Sequence, residues 1–304
     1  MNKKILITGS TGKVAEAITT LLLREYPDVK LLLLTSDIKN IKPTKRSSVF
    51  QAFYENVKWL KDFVINHKPD IIINCAAMTN VDACEDEKEK AMNLNASLPE
   101  TLSIAAKKIN SHLITFSTDY IFNGKKGPYS ELDTPDPINY YGKSKLAGEN
   151  LAKGNTQKLT IIRTNVVYGK SSYGKNDFIK WVSDKLDNKE KINVITGQWC
   201  NPTFTDDIAW AVSRIIETKS YGIINLSGKD WLNRYEIALI VAEVFDYDKN
   251  LISPLDPSKL SQKAFRPEKG GLIITSAEGL LGIKLSRLKE GLTTLKFQLN
   301  EYEI

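Results

Sequence analysis

Tyr141 and Lys145 lie four residues apart in the run Tyr140-Tyr141-Gly142-Lys143-Ser144-Lys145, which puts a phenol and an ammonium on one face of a helix. A lysine beside a phenol favours the phenolate and lowers its pKa, making a group that can pass a proton to a reacting oxygen. Tyr140 is a competing acid. Tyr141 is preferred because Lys145 lies four residues from it and five from Tyr140. Upstream, an apolar run ends in Phe116-Ser117-Thr118-Asp119-Tyr120, and the Thr118 hydroxyl can donate to a carbonyl oxygen. About 130 residues before the tyrosine, Lys4-Ile5-Leu6-Ile7-Thr8 runs into Gly9-Ser10-Thr11-Gly12-Lys13-Val14-Ala15. This reads as strand, tight turn and helix start. Gly9 permits the turn, Gly12 lets backbone approach a phosphate, and the free N–H groups of the helix face the anion. The two clusters together point to hydride transfer from a dinucleotide with a tyrosine as acid.

The candidate cofactor contacts are Gly9, Thr11, Gly12, Lys13 and Val14 in that turn, Cys75, Ala76 and Ala77 at a later strand end, Asn95, and Tyr141 with Lys145. The second strand ends Leu33-Leu34-Thr35-Ser36-Asp37. Asp37 can accept from a ribose 2′-OH and favour NAD, whereas Thr35, Ser36 and Lys39 can hold a 2′-phosphate and favour NADP, so both cofactors stay open. Cys75 reads as an inert core thiol.

These residues need a scaffold that brings distant strand ends to one edge. Short apolar runs at 4–8, 29–34, 71–75, 112–117 and 159–163 suit parallel strands covered on both faces. Helical patterns at 12–26, 54–67, 87–108 and 141–152 alternate with them, and Pro99 bends or restarts the third. The alternation implies an α/β fold, a doubly wound parallel sheet with right-handed crossovers. Residues 1–165 form the dinucleotide-binding domain, with a return segment near 203–228. Residues 166–304 supply a smaller, interleaved substrate lobe over the C-terminal edge of the sheet. In that half a polar loop at 169–176 precedes a helix at 177–186 and a strand at 192–195. A helix at 205–218, capped by Thr205, precedes a strand at 223–226 and a helix at 235–245, and the remainder reads as mixed short elements.

The bulk composition narrows the function classes. A hydrophobic fraction of 42% and a charged fraction of 26% are ordinary for a soluble domain. No signal peptide or bilayer-length apolar run is present, and Cys75, Cys84 and Cys200 have no metal-ligand spacing, so a cytoplasmic protein without a metal site is expected. The net charge of +6 is scattered, and its densest set, Lys39, Lys42, Lys45 and Arg46, falls in an irregular, solvated stretch. No nucleic-acid module and no membrane partner is indicated. A homodimer is allowed.

The segments Gly9-Ser-Thr-Gly12, Asn74-Cys-Ala-Ala77, Ser117-Thr-Asp-Tyr120, Tyr141-Gly-Lys-Ser-Lys145 with Gly148-Glu149, Arg163-Thr164, Asn201-Pro-Thr203 and Arg266-Pro267 resemble the extended short-chain dehydrogenase/reductase family. Within it they resemble the dTDP-4-dehydrorhamnose reductase group, over essentially the whole chain. The resemblance implies a catalytic triad of Thr118, Tyr141 and Lys145. It places Thr79, Val81 and Asp82 beside a sugar pocket with Asn165, Val166 and Asn201, and makes Arg266 a late arginine that meets a nucleotide diphosphate. The implied activity is NAD(P)H-dependent reduction of the 4-keto group of a nucleotide-activated 6-deoxyhexose. The same scaffold also carries nucleotide-sugar epimerases and dehydratases, and a regulatory subunit of the methionine adenosyltransferase β type. Two departures fall in the sugar pocket. Val166 stands where rhamnose-forming relatives commonly have Trp, and Gln198-Trp199-Cys200-Asn201 replaces smaller residues.

Gly12→Val places a branched side chain where the pyrophosphate must approach, so dinucleotide binding should be lost. Fluorescence titration with NADH and NADPH measures it; unchanged affinity for both would put the pyrophosphate elsewhere.

Overall fold

A computed structural model describes residues 3–300 except 40, 175 and 260. The first half runs β1 (Lys4–Thr8), α1 (Lys13–Glu25), β2 (Lys30–Thr35), β3 (Ser47–Gln51), α2 (Val57–His67), β4 (Ile71–Asn74), α3 (Val81–Asp86), α4 (Lys88–Met92), a π-helical turn at Asn93–Ser97, α5 (Leu98–Ile109), β5 (His112–Thr118), α6 (Tyr140–Asn155) and β6 (Leu159–Thr164). The second half runs β7 (Val167–Tyr168), α7 (Phe178–Asp187), β8 (Ile192–Ile195), β9 (Thr203–Phe204), α8 (Thr205–Thr218), β10 (Gly222–Asn225), α9 (Arg234–Phe245), β11 (Ile252–Leu255), α10 (Thr275–Leu281) and α11 (Leu288–Asn300).

Seven strands form a sheet in the order β10-β6-β5-β4-β1-β2-β3, and every pairing in it is parallel. The chain winds outward from β1 in one direction through β2 and β3, then from β4 through β5 and β6 in the other. The reversal between β1 and β4 opens a crevice at the carboxyl ends of the strands, which is where such sheets take ligands. Alternate side chains explain why the strands are apolar throughout. Ile5 and Ile7 pack against α1, α8 and α10 on one face, while Leu6, Leu32, Leu34 and Ile72 pack against α2, α5 and α6 on the other. A separate core built on Val182, Ile192, Val194, Ile237, Val241 and Leu292 holds the smaller lobe together. No helix among the described residues is long and apolar enough to cross a membrane.

Three elements differ from the sequence reading. The basic stretch at 39–46 leads into β3, an edge strand only partly buried, whose Ser-Ser-Val-Phe-Gln lacks the apolar density of its neighbours. Arg46 there donates to the carbonyls of Leu23 and Tyr26 at the end of α1, so it anchors a helix terminus. The C-terminal remainder holds α11, whose Leu288, Leu292 and Leu295 recur at helical spacing and are buried. Thr205 is the first residue of α8, not its cap; Phe204 precedes it without a side-chain cap bond, and the Thr205 hydroxyl lies against Gly169. Pro99 sits in the first turn of α5, where the helix restarts after the π-helical turn.

One buried ion pair welds α6 to β6. Arg163 donates to both carboxylate oxygens of Glu149 at 2.9 and 2.8 Å, with side-chain exposures of 2% and 1%. Burial alone would raise the Glu149 pKa, but hydrogen bonds and charge from Arg163 outweigh it and hold the carboxylate below its usual range. Breaking one member of such a pair strands the other. Glu149→Gln should therefore lower unfolding free energy by about 3–5 kcal/mol in urea at neutral pH. A group with a depressed folded pKa stabilises above its unfolded value and loses that effect as pH falls through the folded one. The gap between wild type and variant should close in acid, and a gap that stays constant with pH would contradict the assignment.

Candidate active site

Three strand ends are cross-tied before any ligand is considered. The Thr8 hydroxyl donates to Asn74 Oδ1 at 2.7 Å, Asn74 Nδ2 donates to the Thr115 hydroxyl at 3.1 Å, and Ala76 N donates back to Thr8 Oγ1 at 3.2 Å. The turn after β1 lies directly on the β4 end. Gly9 has φ +63°, and a Cβ there would fall 2.8 Å from the Ala76 backbone. Gly9 N donates to the Tyr54 hydroxyl at 2.7 Å, which in turn donates to Leu34 O at 3.0 Å. Tyr54 thus locks the turn from below, a role that sequence patterning did not show.

Helix α1 begins at Lys13 with Gly12 as its N-cap and no side-chain cap bond, so its first N–H groups face the crevice. A Cβ on Gly12 would meet only Gly9 O, at 3.2 Å, which leaves its other side open to an approaching phosphate. Thr11 Oγ1 lies 3.5 Å from Thr35 Oγ1 at the end of β2. The structure thus fits a dinucleotide pyrophosphate on this turn, with Val14 and the buried Ala15 packed behind it. Lys13 is placed differently from the expectation. Its ammonium pairs with Asp177 Oδ2 at 2.6 Å and donates to Gly169 O, because the loop leading into α7 lies over the first turn of α1. Glu16 accepts from Ser172 N in the same loop. Asp37 is exposed two residues beyond the end of β2, with Oδ1 accepting from Lys39 N at 3.1 Å.

Asn95 is buried and makes three hydrogen bonds within the fold. It pairs with both backbone groups of Met78 and donates to the Ser144 hydroxyl, so it ties the β4 end to α6. Ala76 and Ala77 remain as the small row after β4, and burial pushes the Cys75 thiol up, keeping it protonated.

Helix α6 is capped by Asn139, whose side chain accepts from Gly142 N. This start aims Tyr141 at the end of β5. Tyr141 packs edge-on to Tyr120, with ring centroids 5.8 Å apart. Burial raises the pKa of the Tyr141 phenol, while the Thr118 hydroxyl beside it acts in the opposite direction. Lys145 is buried and donates to Phe116 O at 2.6 Å; burial lowers its pKa to about 8. The lysine is thus anchored on β5, and in this arrangement the phenol stays protonated, contrary to the simple picture of a lysine lowering its neighbour. Tyr140 points elsewhere: its backbone N donates to Glu85, and the Lys88 ammonium lies 5.4 Å from its ring.

The Thr118 hydroxyl lies 3.3 Å from Asp119 Oδ1 and accepts from Tyr120 N. Asp119 is a buried carboxylate whose pKa burial raises, against hydrogen bonds from Asn165, Gly271 and Thr118. Its Oδ2 accepts from Asn165 Nδ2 at 2.9 Å and from Gly271 N at 3.0 Å. The Oδ1 of Asn165 is buried with no hydrogen-bond partner among the described residues. Next to it Val166 adopts φ +38°, an uncommon conformation for a β-branched residue. Asn201 Oδ1 accepts from Leu272 N at 2.8 Å and so fixes a loop. Thr79 is exposed at the rim, with Val81 opening α3. Asp82 and Arg266, predicted separately, form a bidentate pair at 2.5 and 2.7 Å. The Arg266 hydrogen bond holds the Asp82 carboxyl at about 2.

The chain matches the family described as RmlD substrate binding domain over residues 3–300. It is 32% identical over 251 residues to the spore coat polysaccharide biosynthesis protein SpsK of Bacillus subtilis, covering 82% of each chain. It is 30% identical over 305 residues to the dTDP-4-dehydrorhamnose reductase of Aggregatibacter actinomycetemcomitans, covering 96% of this chain and 98% of that protein. The crystal structure of dTDP-4-dehydrorhamnose reductase from Bacillus anthracis in complex with NADP superposes with a TM-score of 0.84 at 26% identity, covering 98% of this chain and 100% of that one. Sequence, fold and site therefore converge, and the chain belongs to the RmlD substrate binding domain family.

Proposed function

We propose that this protein is an NAD(P)H-dependent reductase that converts the 4-keto group of a nucleotide-activated 6-deoxyhexose to an alcohol. The observation that carries the reading is the meeting of the Tyr141 phenol and the Thr118 hydroxyl at the carboxyl edge of the sheet. The uncapped start of α1 lies at the carboxyl end of β1 in the same sheet. The activity for which the Aggregatibacter actinomycetemcomitans reductase is named and the NADP held by the Bacillus anthracis protein support the same chemistry.

A bound reduced nicotinamide supplies the hydride, and the chain supplies position and protons. Thr118 orients the ketone oxygen by a hydrogen bond. Tyr141, held in its protonated form by burial, donates a proton to that oxygen. Lys145, fixed on Phe116 O, keeps a positive charge near the phenol and favours the phenolate left after transfer. Gly9, Thr11, Gly12 and the first N–H groups of α1 would hold the pyrophosphate of the bound dinucleotide. The unpartnered Oδ1 of Asn165 offers a buried acceptor for a sugar hydroxyl. Dehydration on the same scaffold would need a free acid beside Thr118, and Asp119 is already engaged by Asn165 and Gly271.

Tyr141→Phe keeps the ring and removes the donor. NADPH binding should persist while turnover falls about 10²–10⁴-fold, the usual worth of general acid catalysis. Near-normal turnover in this variant would redirect the assignment to Tyr140.

Val166 removes a flat aromatic wall of about 150–250 Å² from the sugar pocket. The expected result is a preference not restricted to the rhamnose precursor, read from kcat/KM across several 4-keto-6-deoxy nucleotide sugars. If dTDP-4-dehydrorhamnose is far the best substrate and Val166→Trp changes nothing, the departure is neutral.

A further inference from the structure

Asp119 follows Thr118 at the end of β5 and is 1% exposed. A buried carboxylate is costly unless its oxygens are bonded, and the groups that hydrogen-bond this one are all neutral. Oδ1 accepts from the Thr118 hydroxyl at 3.3 Å. Oδ2 accepts from Asn165 Nδ2 at 2.9 Å and from Gly271 N at 3.0 Å. The donors come from three places: the end of β5, the segment after β6, and the chain shortly past Arg266. Because a carboxylate can only accept, it also decides which way the Asn165 amide faces, with the nitrogen turned to Asp119 and Oδ1 turned away.

Gly271 belongs to a strap, residues 264–272, that runs from α3 to the end of β5. At its outer end Ala264 N and the Arg266 guanidinium both donate to Asp82. In the middle Lys269 N donates to Gly124 O, and Trp199 N donates to Glu268 O. At its inner end Gly271 N meets Asp119, Leu272 N meets Asn201 Oδ1, and Gly270 O accepts from Trp231 Nε1. The Gly-Gly pair permits this approach. A Cβ on Gly270 would lie 2.8 Å from Asp119 Oδ2, and one on Gly271, where φ is +93°, would lie 2.6 Å from Asn201 Oδ1. One stretch of chain therefore joins Asp82, Arg266 and Asn201, and its inner end is fastened to the residue next to Thr118.

We propose that Asp119 is a positioning residue: its carboxylate fixes the strap 264–272 and the Asn165 amide at a set distance from Thr118, and so seats the sugar nucleotide against the reacting edge. The assignment deepens the reductase reading above and rests on it. In this role Asp119 touches no reacting atom. It acts through the three groups it holds, and because the carboxylate is one rigid planar group, the strap and the Thr118 hydroxyl keep a common register.

The test compares wild type with Asp119→Asn, Asp119→Ala, Gly270→Ala and the double variant Asp119→Ala/Gly270→Ala. Asparagine keeps one oxygen that can accept from Asn165 and Gly271, so it should hold the strap, whereas alanine removes every acceptor. Amide hydrogen exchange over residues 268–273, read by mass spectrometry without ligand, should speed up in the Asp119→Ala variant and stay near wild type in the Asn variant. Affinity for dTDP-rhamnose by calorimetry and KM for dTDP-4-dehydrorhamnose should worsen about 10- to 100-fold with Ala, the worth of hydrogen bonds to a charged group, and less than about three-fold with Asn. NADPH affinity should stay the same throughout. Gly270→Ala presses a methyl on the carboxylate and should raise KM and exchange likewise, but on the Asp119→Ala background it should add little, because the atom it meets is gone. Unchanged exchange in the Asp119→Ala variant overturns the proposal, as does equal damage with Asn and Ala or full additivity in the double variant. A matching loss of NADPH affinity, the mark of a general folding defect, overturns it too. Should Asp119→Ala fail to fold, Gly270→Ala decides alone, and an unaltered KM and exchange there sink the proposal. If dTDP-rhamnose binding depends on Asp119 as stated but wild type reduces no 4-keto sugar nucleotide, the anchor stands and the reductase reading falls. If reduction proceeds with an unaltered KM in the Asp119→Ala variant, the reductase reading stands and the anchor falls.

Discussion

The site depends on how closely α6 can approach its neighbours. A Cβ at Gly148 would overlap Asn95 O, and one at Gly142 would overlap Tyr120 O. Without side chains at these two points the helix settles against both the π-helical turn and the segment after β5. This brings Tyr141 to Thr118, seats Lys145 on Phe116 O and lets Glu149 reach Arg163. One helix face therefore carries the phenol proposed as the acid, the lysine beside it and the ion pair that fixes the register of the helix against β6. A larger residue at either glycine would move all three together, because they share one rigid element.

The strand ends show the same economy of placement. Thr8, Asn74 and Thr115 satisfy one another across β1, β4 and β5, so the crevice floor is polar yet closed. Gly9 and Ala76 touch backbone to backbone above it. The glycine turn after β1 and the carboxyl ends of β4 and β5 are thus parts of one packed layer, and neither can shift without the other.

Much of this was legible in the chain because the signals are local. A glycine turn between an apolar strand and a helix, or a tyrosine and lysine four residues apart, needs no knowledge of distant contacts. What escaped the sequence is set by tertiary partners. Lys13 looks like a phosphate ligand until Asp177, 164 residues on, takes its charge. Asn95 is polar and near the site in sequence, yet Met78 and Ser144 take both of its amide hydrogens and one lone pair of its oxygen. Asp82 and Arg266 read as two separate contacts and are one pair. Strand β3 was hidden because an edge strand need not be apolar on both faces.

The loop at 169–177 clamps the phosphate turn to the smaller lobe through Lys13 and Glu16. An ammonium that already neutralises the capping carboxylate of α7 cannot serve a phosphate at full strength without loosening that cap. To the extent that a pyrophosphate draws Lys13 toward itself, the free energies of dinucleotide binding and of loop docking become linked quantities. Linkage is reciprocal, so a sugar ligand that steadies the smaller lobe would alter dinucleotide affinity by the same factor by which the dinucleotide alters its own. A single lysine in the first helical turn would then give two ligand sites on different lobes a common thermodynamic cycle.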